Sequence, residues 1–314
     1  MTTAESGTVS SVIVATGEID LAATLDGGQA FRWWKDGAGY RGVIAGRLVR
    51  LSEGDDDVVI EALDGRGIDG LSAAIFDYLG ADLDLEELRA EFADDPCIGP
   101  AISGFAGLRL LRQDPWECLV SFITSSTSNI PRIKLNVGSM ARLGRPIGPG
   151  EHDYEFPSAG VLAAAGEQKL RDLGLGFRAK YIIPAAEAVA LGHLDLDALK
   201  TASYEDARRA LVELPGVGEK VADCVLAFSL DKPEAFPIDR HIRRALENWY
   251  GLPPALNNSR ASDWARERFG NLGAIAQQFM FHRERFAHRA SSWGGRHLEQ
   301  ALPQDRVSGK VTTR

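Results

Sequence analysis

LPGVGEKVADCVLAFSLDKPEAFPIDRHI, residues 214–242, is the stretch that decides the fold of this 314-residue chain. Helical periodicity over 204–213 stops at Pro215, and a second helical pattern starts again over 221–230. Between them Gly216 and Gly218 permit positive φ and close approach of another backbone. A helix that starts straight after such a hairpin leaves its first N–H groups free and its positive dipole end outward, an arrangement that suits a phosphate. Gly216 and Gly218 are therefore candidate phosphate contacts; a tight turn between packed helices accounts for them equally well.

Lys220 stands in the first turn of the second helix. A cation there opposes the helix dipole, so helix stability does not explain it. A neutral amine at that place can attack an electrophilic carbon and form a Schiff base; a solvated surface lysine is the plainer alternative. The turn-rich connection 231–237 then delivers Asp239 to the start of a helix over 241–249. Asp239 is placed to cap that helix, and an ionised carboxylate there also stabilises positive charge developing on a sugar. One helix and one loop separate the two residues, so an antiparallel return brings them together.

Outward from this segment the pattern is of two kinds. Strands are expected over 12–15, 40–44, 47–52 and 58–62, with a hairpin at Ala45-Gly46 and a turn at Asp26-Gly27-Gly28. Helices are expected over 71–79, 85–92, 116–126, 132–143, 158–165, 180–191, 204–213, 221–230, 241–249, 261–269 and 272–281. The fold class is α+β: a small N-terminal antiparallel sheet domain with short helices (1–90), a larger all-helical domain (91–296) and a polar tail (297–314).

Bulk properties narrow the chemistry. Three widely spaced cysteines, Cys97, Cys118 and Cys224, make neither a disulfide framework nor a four-thiolate cluster. No metal site or cofactor is expected. No apolar run is long enough to span a bilayer. Residues 1–7 lack a basic stretch before an apolar one, so no secretory signal is expected and the cytoplasm is the expected compartment, in association with the nucleoid through DNA. The formal net charge of −9 runs against nucleic-acid binding, which needs cations for phosphates. Acidic residues crowd the early part, at Asp55–Asp57 and from Asp82 to Asp95. Arg132, Lys134, Arg178, Lys180, Arg240, Arg243 and Arg244 recur later. A basic face on an acidic protein is compatible with that distribution.

The quoted segment resembles the helix-hairpin-helix, loop and Asp signature of the base-excision DNA glycosylase superfamily, and its form "PGVGxKVADC…DKPxAxPxDxH" resembles the 8-oxoguanine DNA glycosylase/AP lyase family. Other segments match that family in the same order. "GGQAFRW" at 27–33 resembles its N-terminal motif, which implies that the Gly28 carbonyl accepts from the N7–H that distinguishes 8-oxoguanine from guanine. "GLRLLRQDPWECLVSFITSSTSNIPRI" implies that Arg132 contacts the cytosine left behind. In the same stretch Thr127 stands where the family often has an Asn that plugs the vacated space. "LRDLGLGFRAKYI" implies an aromatic wedge, Phe177, with Arg178 reading the estranged base. "LGAIAQQFMF" implies that Gln277 hydrogen-bonds the Watson–Crick edge of the flipped base, with Phe281 stacking on one face and Cys224 covering the other. His241 matches a phosphate contact. Turn geometry for Gly28 and core packing for Cys224, Phe177 and Phe281 are the alternatives without the flanking matches.

The resemblance implies a monomeric, bifunctional glycosylase/AP lyase acting on double-stranded DNA that contains oxidised guanine, opposite cytosine, with Lys220 as nucleophile and Asp239 in support. Two other readings are an alkylpurine DNA glycosylase on the same scaffold, which activates water and does not need Lys220, and a DNA-binding module without catalysis.

Overall fold

Alternating apolar residues build the first unit. β1 (Ser11–Ala15), β2 (Trp34–Asp36), β3 (Gly39–Ile44), β4 (Arg47–Glu53) and β5 (Asp57–Ala62) form one antiparallel sheet in the order β1-β5-β4-β3-β2. The computed structural model describes residues 11–54, 57–293 and 301–302. The expected hairpin is present: Ala45 and Gly46 have φ of 49° and 68°, a two-residue turn whose mirror-image geometry follows the strand twist. Val49, Leu51, Val58 and Ile60 are wholly buried and pack on Leu71 and Ile75 of α2 (Leu71–Tyr78). Two elements of this unit escape a periodicity reading. β2 has three residues and α1 (Leu21–Leu25) only five, the latter started by Asp20, whose carboxylate accepts from Ala23 N at 2.7 Å.

The remainder is helical. α3 (Leu85–Glu91) and α4 (Gly99–Gly104) lead into α5 (Pro115–Thr124), α6 (Ile130–Ala141), α7 (Ala159–Leu170) and α8 (Ala179–Ala190). α9 (Leu196–Thr201), α10 (Tyr204–Val212), α11 (Glu219–Ser229), α12 (Arg240–Tyr250), α13 (Asn258–Phe269) and α14 (Gly273–Trp293) complete the order. The expected start is present, with Ser158 as N-cap of α7, and Gly166, non-helical at φ 76° and ψ 167°, kinks the helix before it runs on to Leu170. The short α4 and α9 are not foreseen, and α14 runs on to Trp293 rather than ending at 281. Of the expected polar tail, only Ala301 and Leu302 lie within the described residues, and Ala301 is buried. Among the described residues no helix is long and apolar enough to cross a membrane.

Three cores result. One fills the sheet unit, from Leu21 to Leu111. A second lies among α5 to α11, with Phe122, Ile133, Ala179, Ile182, Val221 and Phe228. The third joins α3 and α4 to α12, α13 and α14 through Leu85, Ile98, Phe236, Leu246 and Phe279. The expected domain boundary at residue 90 thus falls inside α3, whose Leu85 and Leu88 pack with the C-terminal helices.

Candidate active site

A cleft of about 1100 Å³ opens between the second and third cores, beside the loop that follows α1. Its walls come from the loop after α1, from the α5–α6 connection, from the first turns of α11 and α12, and from α14. Gly28, Thr127, Arg132, Arg178, Lys220, Cys224, Asp239, His241, Gln277 and Phe281, all singled out from sequence, line it together.

The starts of α11 and α12 are built differently. At α11 the N-cap is Gly218, which offers no side chain to the free N–H groups, and a Cβ added there would meet nothing within 4 Å. Gly218 does not use the positive φ open to it: at φ −91° and ψ 177° it is extended, and its use is the open backbone. Gly216 does take positive φ, 81°, and a Cβ there would lie 2.3 Å from Tyr181 Cγ, so only glycine lets the turn approach α8. Both glycines sit beside the cleft rather than in its lining. At α12, by contrast, Asp239 Oδ1 accepts from His241 N at 2.8 Å and from Ile242 N at 2.9 Å. Both bonds use one oxygen, which fixes the carboxylate and leaves Oδ2 for the cleft.

Lys220 is half-buried rather than solvated, with Nζ 5.0 Å from the centroid of the Phe122 ring. That ring is held edge-on by Phe31 at 5.6 Å and stacked on Phe228 at 5.4 Å. One turn along α11, burial pushes the Cys224 thiol up to about 11 against the pull of the Lys220 ammonium, so the thiol stays protonated at neutral pH and does not compete as nucleophile.

The opposite wall is α14. Gln277 Nε2 donates to the Pro237 carbonyl at 3.2 Å, while its Oε1 is buried without a partner among the described residues. An unpartnered acceptor on a cleft wall is an open demand for a donor. Phe281 follows one turn later and lies against Gly28: a Cβ on Gly28, whose φ is +90°, would stand 3.1 Å from Phe281 Cε1 and 2.9 Å from Ile130 Cδ1. Phe281 and Cys224 both line the cleft, together with Gln277. His241 packs edge-on to Phe281 at 5.8 Å, and Arg244 Nη2 lies 3.1 Å from its Nδ1. Burial, helped by the charges of Arg240 and Arg244, pulls its imidazole down to about 4, so it is neutral at pH 7.

At the mouth, Asn129 caps α6 by accepting from Arg132 N at 3.0 Å, which leaves the exposed Arg132 side chain at the rim. Arg178 donates from Nε to Ser126 O at 2.8 Å and from Nη2 to Thr127 O at 2.9 Å. Its guanidinium lies 4.7 Å from the centroid of the exposed Phe177 ring, which flanks the cleft without lining it. Thr127 has φ 52°, a left-handed conformation that a β-branched residue rarely takes.

Sequence reasoning missed Phe122 beneath the lysine and the basic end of α14. Arg285, His288 and Arg289 line the cleft because α14 continues past Phe281. The apolar pattern fails there, since His282, Arg283, Glu284 and Arg285 are all buried. The available signal is spacing: 281, 285 and 288 recur on one helical face.

A lysine and an aspartate at the starts of two successive helices, the first entered through a Gly-rich hairpin, define a helix-hairpin-helix glycosylase frame. Residues 126–267 match the family model for HhH-GPD superfamily base excision DNA repair proteins, and residues 11–119 match that for the 8-oxoguanine DNA glycosylase N-terminal domain. The chain is 36% identical to the N-glycosylase/DNA lyase OGG1 of Arabidopsis thaliana over 281 residues, which cover 84% of this chain and 77% of the relative. It is 33% identical to the N-glycosylase/DNA lyase of Saccharomyces cerevisiae over 271 residues, 77% of this chain and 71% of that one. The 8-oxoguanine glycosylase/lyase of Clostridium acetobutylicum, solved with double-stranded DNA containing cytosine opposite 8-oxoguanine, superposes with a TM-score of 0.81 at 30% identity, over 88% of this chain and 96% of that one. The chain belongs to the 8-oxoguanine N-glycosylase/DNA lyase family.

Proposed function

We propose that this protein flips 8-oxoguanine out of duplex DNA, opposite cytosine, releases it through a covalent lysine intermediate and nicks the strand. The observation that carries the reading is the convergence of Lys220, Asp239, Gln277, Phe281 and Gly28, from four separate parts of the chain, on one cleft. The flipped purine stacks between Phe281 and Cys224, its edge donates to the unpartnered amide oxygen of Gln277, and Gly28 O accepts from N7–H. Guanine has a lone pair at N7, so the same carbonyl repels it.

Lys220 gives up its ammonium proton, and the neutral Nζ attacks C1′ as the bond to N9 breaks. The electron pair leaves with the base, which takes up a proton, and the Asp239 carboxylate supports the positive charge on the sugar. Ring opening gives an iminium between Lys220 and C1′. Loss of a C2′ proton then expels the 3′ phosphate by β-elimination. Outside the pocket, Arg132 and Arg178 read the estranged cytosine, Phe177 wedges beside it and Thr127 occupies the vacated stack. Open amides at Gly216 and Gly218, together with neutral His241, hold phosphates.

Borohydride trapping beside a base-release assay tests this. The expected result is a covalent complex with 8-oxoguanine DNA that Lys220→Gln abolishes, with base release lowered by about 10³-fold or more and duplex affinity retained. Release of alkylated bases without a trapped complex would establish the water-activating alternative, and binding without any release would establish a non-catalytic module.

A further inference from the structure

Two side chains of α14 grip the backbone of the loop that carries Gly28. Arg285 Nη1 donates to the Asp26 carbonyl at 2.8 Å, and Gln278 Nε2 donates to the Gly27 carbonyl at 3.3 Å. From α6, Lys134 pairs with the Asp26 carboxylate and donates to Trp33 O at 3.1 Å. On the far side of Gly28, the wholly buried Gln29 amide donates to Arg109 O at 2.8 Å and accepts from Leu111 N at 2.9 Å. The loop is thus fixed before and after Gly28, while among the described residues no hydrogen bond takes the Gly28 carbonyl itself.

The clamps are specific to this loop. A Cβ on Gly27 would stand 2.2 Å from Ala23 O and 3.1 Å from Gln278 Nε2, so the chain has no room to relax toward α14. Arg285 is buried, has no ion pair among the described residues, and leaves its Nε without a partner. Burial, with Arg289 adding to it, pulls its guanidinium down to about 10. An apolar side chain would fill that position with less desolvation. What the arginine adds is one rigid, charge-assisted bond to a main-chain carbonyl two residues before Gly28. The same helix already supplies Gln277 and Phe281. Gln278 adjoins the first and Arg285 lies one turn beyond the second, so a single rigid element sets both the stacking surface and the loop opposite it.

We propose that Arg285 and Gln278 are positioning residues that hold the Gly28 carbonyl at the wall of the base pocket and so set selectivity for a purine bearing a hydrogen at N7. The inference rests on the role given to Gly28 under "Proposed function".

The test compares two substrates under single-turnover conditions. One is an 8-oxoguanine:cytosine duplex, read by base release; the other is a duplex with a natural abasic site, read by nicking, which needs Lys220 but has no base to recognise. Arg285→Met is expected to lower base release at least tenfold more than nicking, and Gln278→Met about threefold more. Arg285→Lys, which restores a single donor, is expected to recover part of the loss. Equal losses on the two substrates, or no loss on either, overturn the clamp alone. A wild-type enzyme that nicks abasic DNA yet releases no 8-oxoguanine overturns the base assignment and this proposal with it. Thermal unfolding checks each variant; if Arg285→Met does not fold, the ratio measured for Gln278→Met and Arg285→Lys decides the outcome.

Discussion

Around the sheet, arginines are matched one by one with carboxylates: Arg41 with Asp153, Arg47 with Asp64, Arg50 with Asp36 and Glu61, Arg112 with Asp82. The cleft is the reverse. Arg132, Arg178, Lys220, Arg240, Arg285 and Arg289 line it, Asp239 is the single carboxylate there, and none of the six cations is in an ion pair among the described residues. The difference explains how a chain of net charge −9 can serve DNA. Around the sheet, carboxylates neutralise structural arginines, while in the cleft the cations outnumber the one carboxylate where phosphates arrive.

The two regions should answer differently to mutation and to pH. The largest stability effect is expected at a paired arginine. Asp64 is almost wholly buried, and though burial acts the other way, the bonds from Arg47 and Arg66 hold its carboxyl well below the usual range. Arg47→Ala removes one of those partners and the bonds to Arg66 O and Gly67 O, and should lower unfolding free energy by about 2 to 3 kcal/mol. Duplex affinity should stay within about twofold; a large affinity loss would erase the distinction between the two regions.

The pH response separates them next. Burial, with Arg285 and Arg289 nearby, pulls His282 down to about 3, and burial pulls His241 to about 4. A depressed imidazole contributes stability that is complete above its unfolded value near 6.5 and is lost as pH falls toward the folded one. The helices beside the cleft therefore weaken between pH 6.5 and 4, before the paired carboxylates of the sheet region lose their partners below about 4. Asp223, raised to about 6 by burial, works in the opposite sense over part of that window. Urea unfolding of His282→Gln should show about 2 kcal/mol less loss between pH 7.5 and 5 than the unchanged protein.

Arg289, a cleft cation with no ion pair among the described residues and no other role given to it, should behave as a phosphate contact and little else. Arg289→Ala is expected to reduce the slope of log affinity against log salt by about 1 and leave the melting temperature unchanged. Thr127→Asn is the mildest case. Asn tolerates the left-handed conformation that Thr127 is held in, so stability should rise by about 0.5 to 1 kcal/mol, measured by chemical unfolding.

Much of this was legible in sequence because it rests on local rules. The hairpin at Ala45-Gly46, the Asp239 cap and the Ser158 helix start each follow from one or two residues acting on their own backbone. The converging site residues were legible through the ordered family motifs, since spacing alone left Lys220 as surface and Gly28 as a turn. What stayed hidden has a common cause: burial that does not follow hydrophobicity. His282 to Arg285 are buried polar residues, so apolar periodicity ends where the helix does not. Gly218 misled differently, as a glycine chosen for an open backbone rather than for its φ.

The cleft is walled by two cores and by the separate loop that carries Gly28. Gly28 lies on the loop after α1 against Ile130 and Phe281, Phe122 and Cys224 belong to the second core, and Phe281 rests on the third. No single core contains the site, so a wall can keep its own shape while its place relative to the other walls changes. The reacting geometry instead depends on docking between bodies, where a shift of about 1 Å is enough to disable chemistry. Catalysis in this protein is a property of its joints, and it is at the joints that inherited variation should be least tolerated.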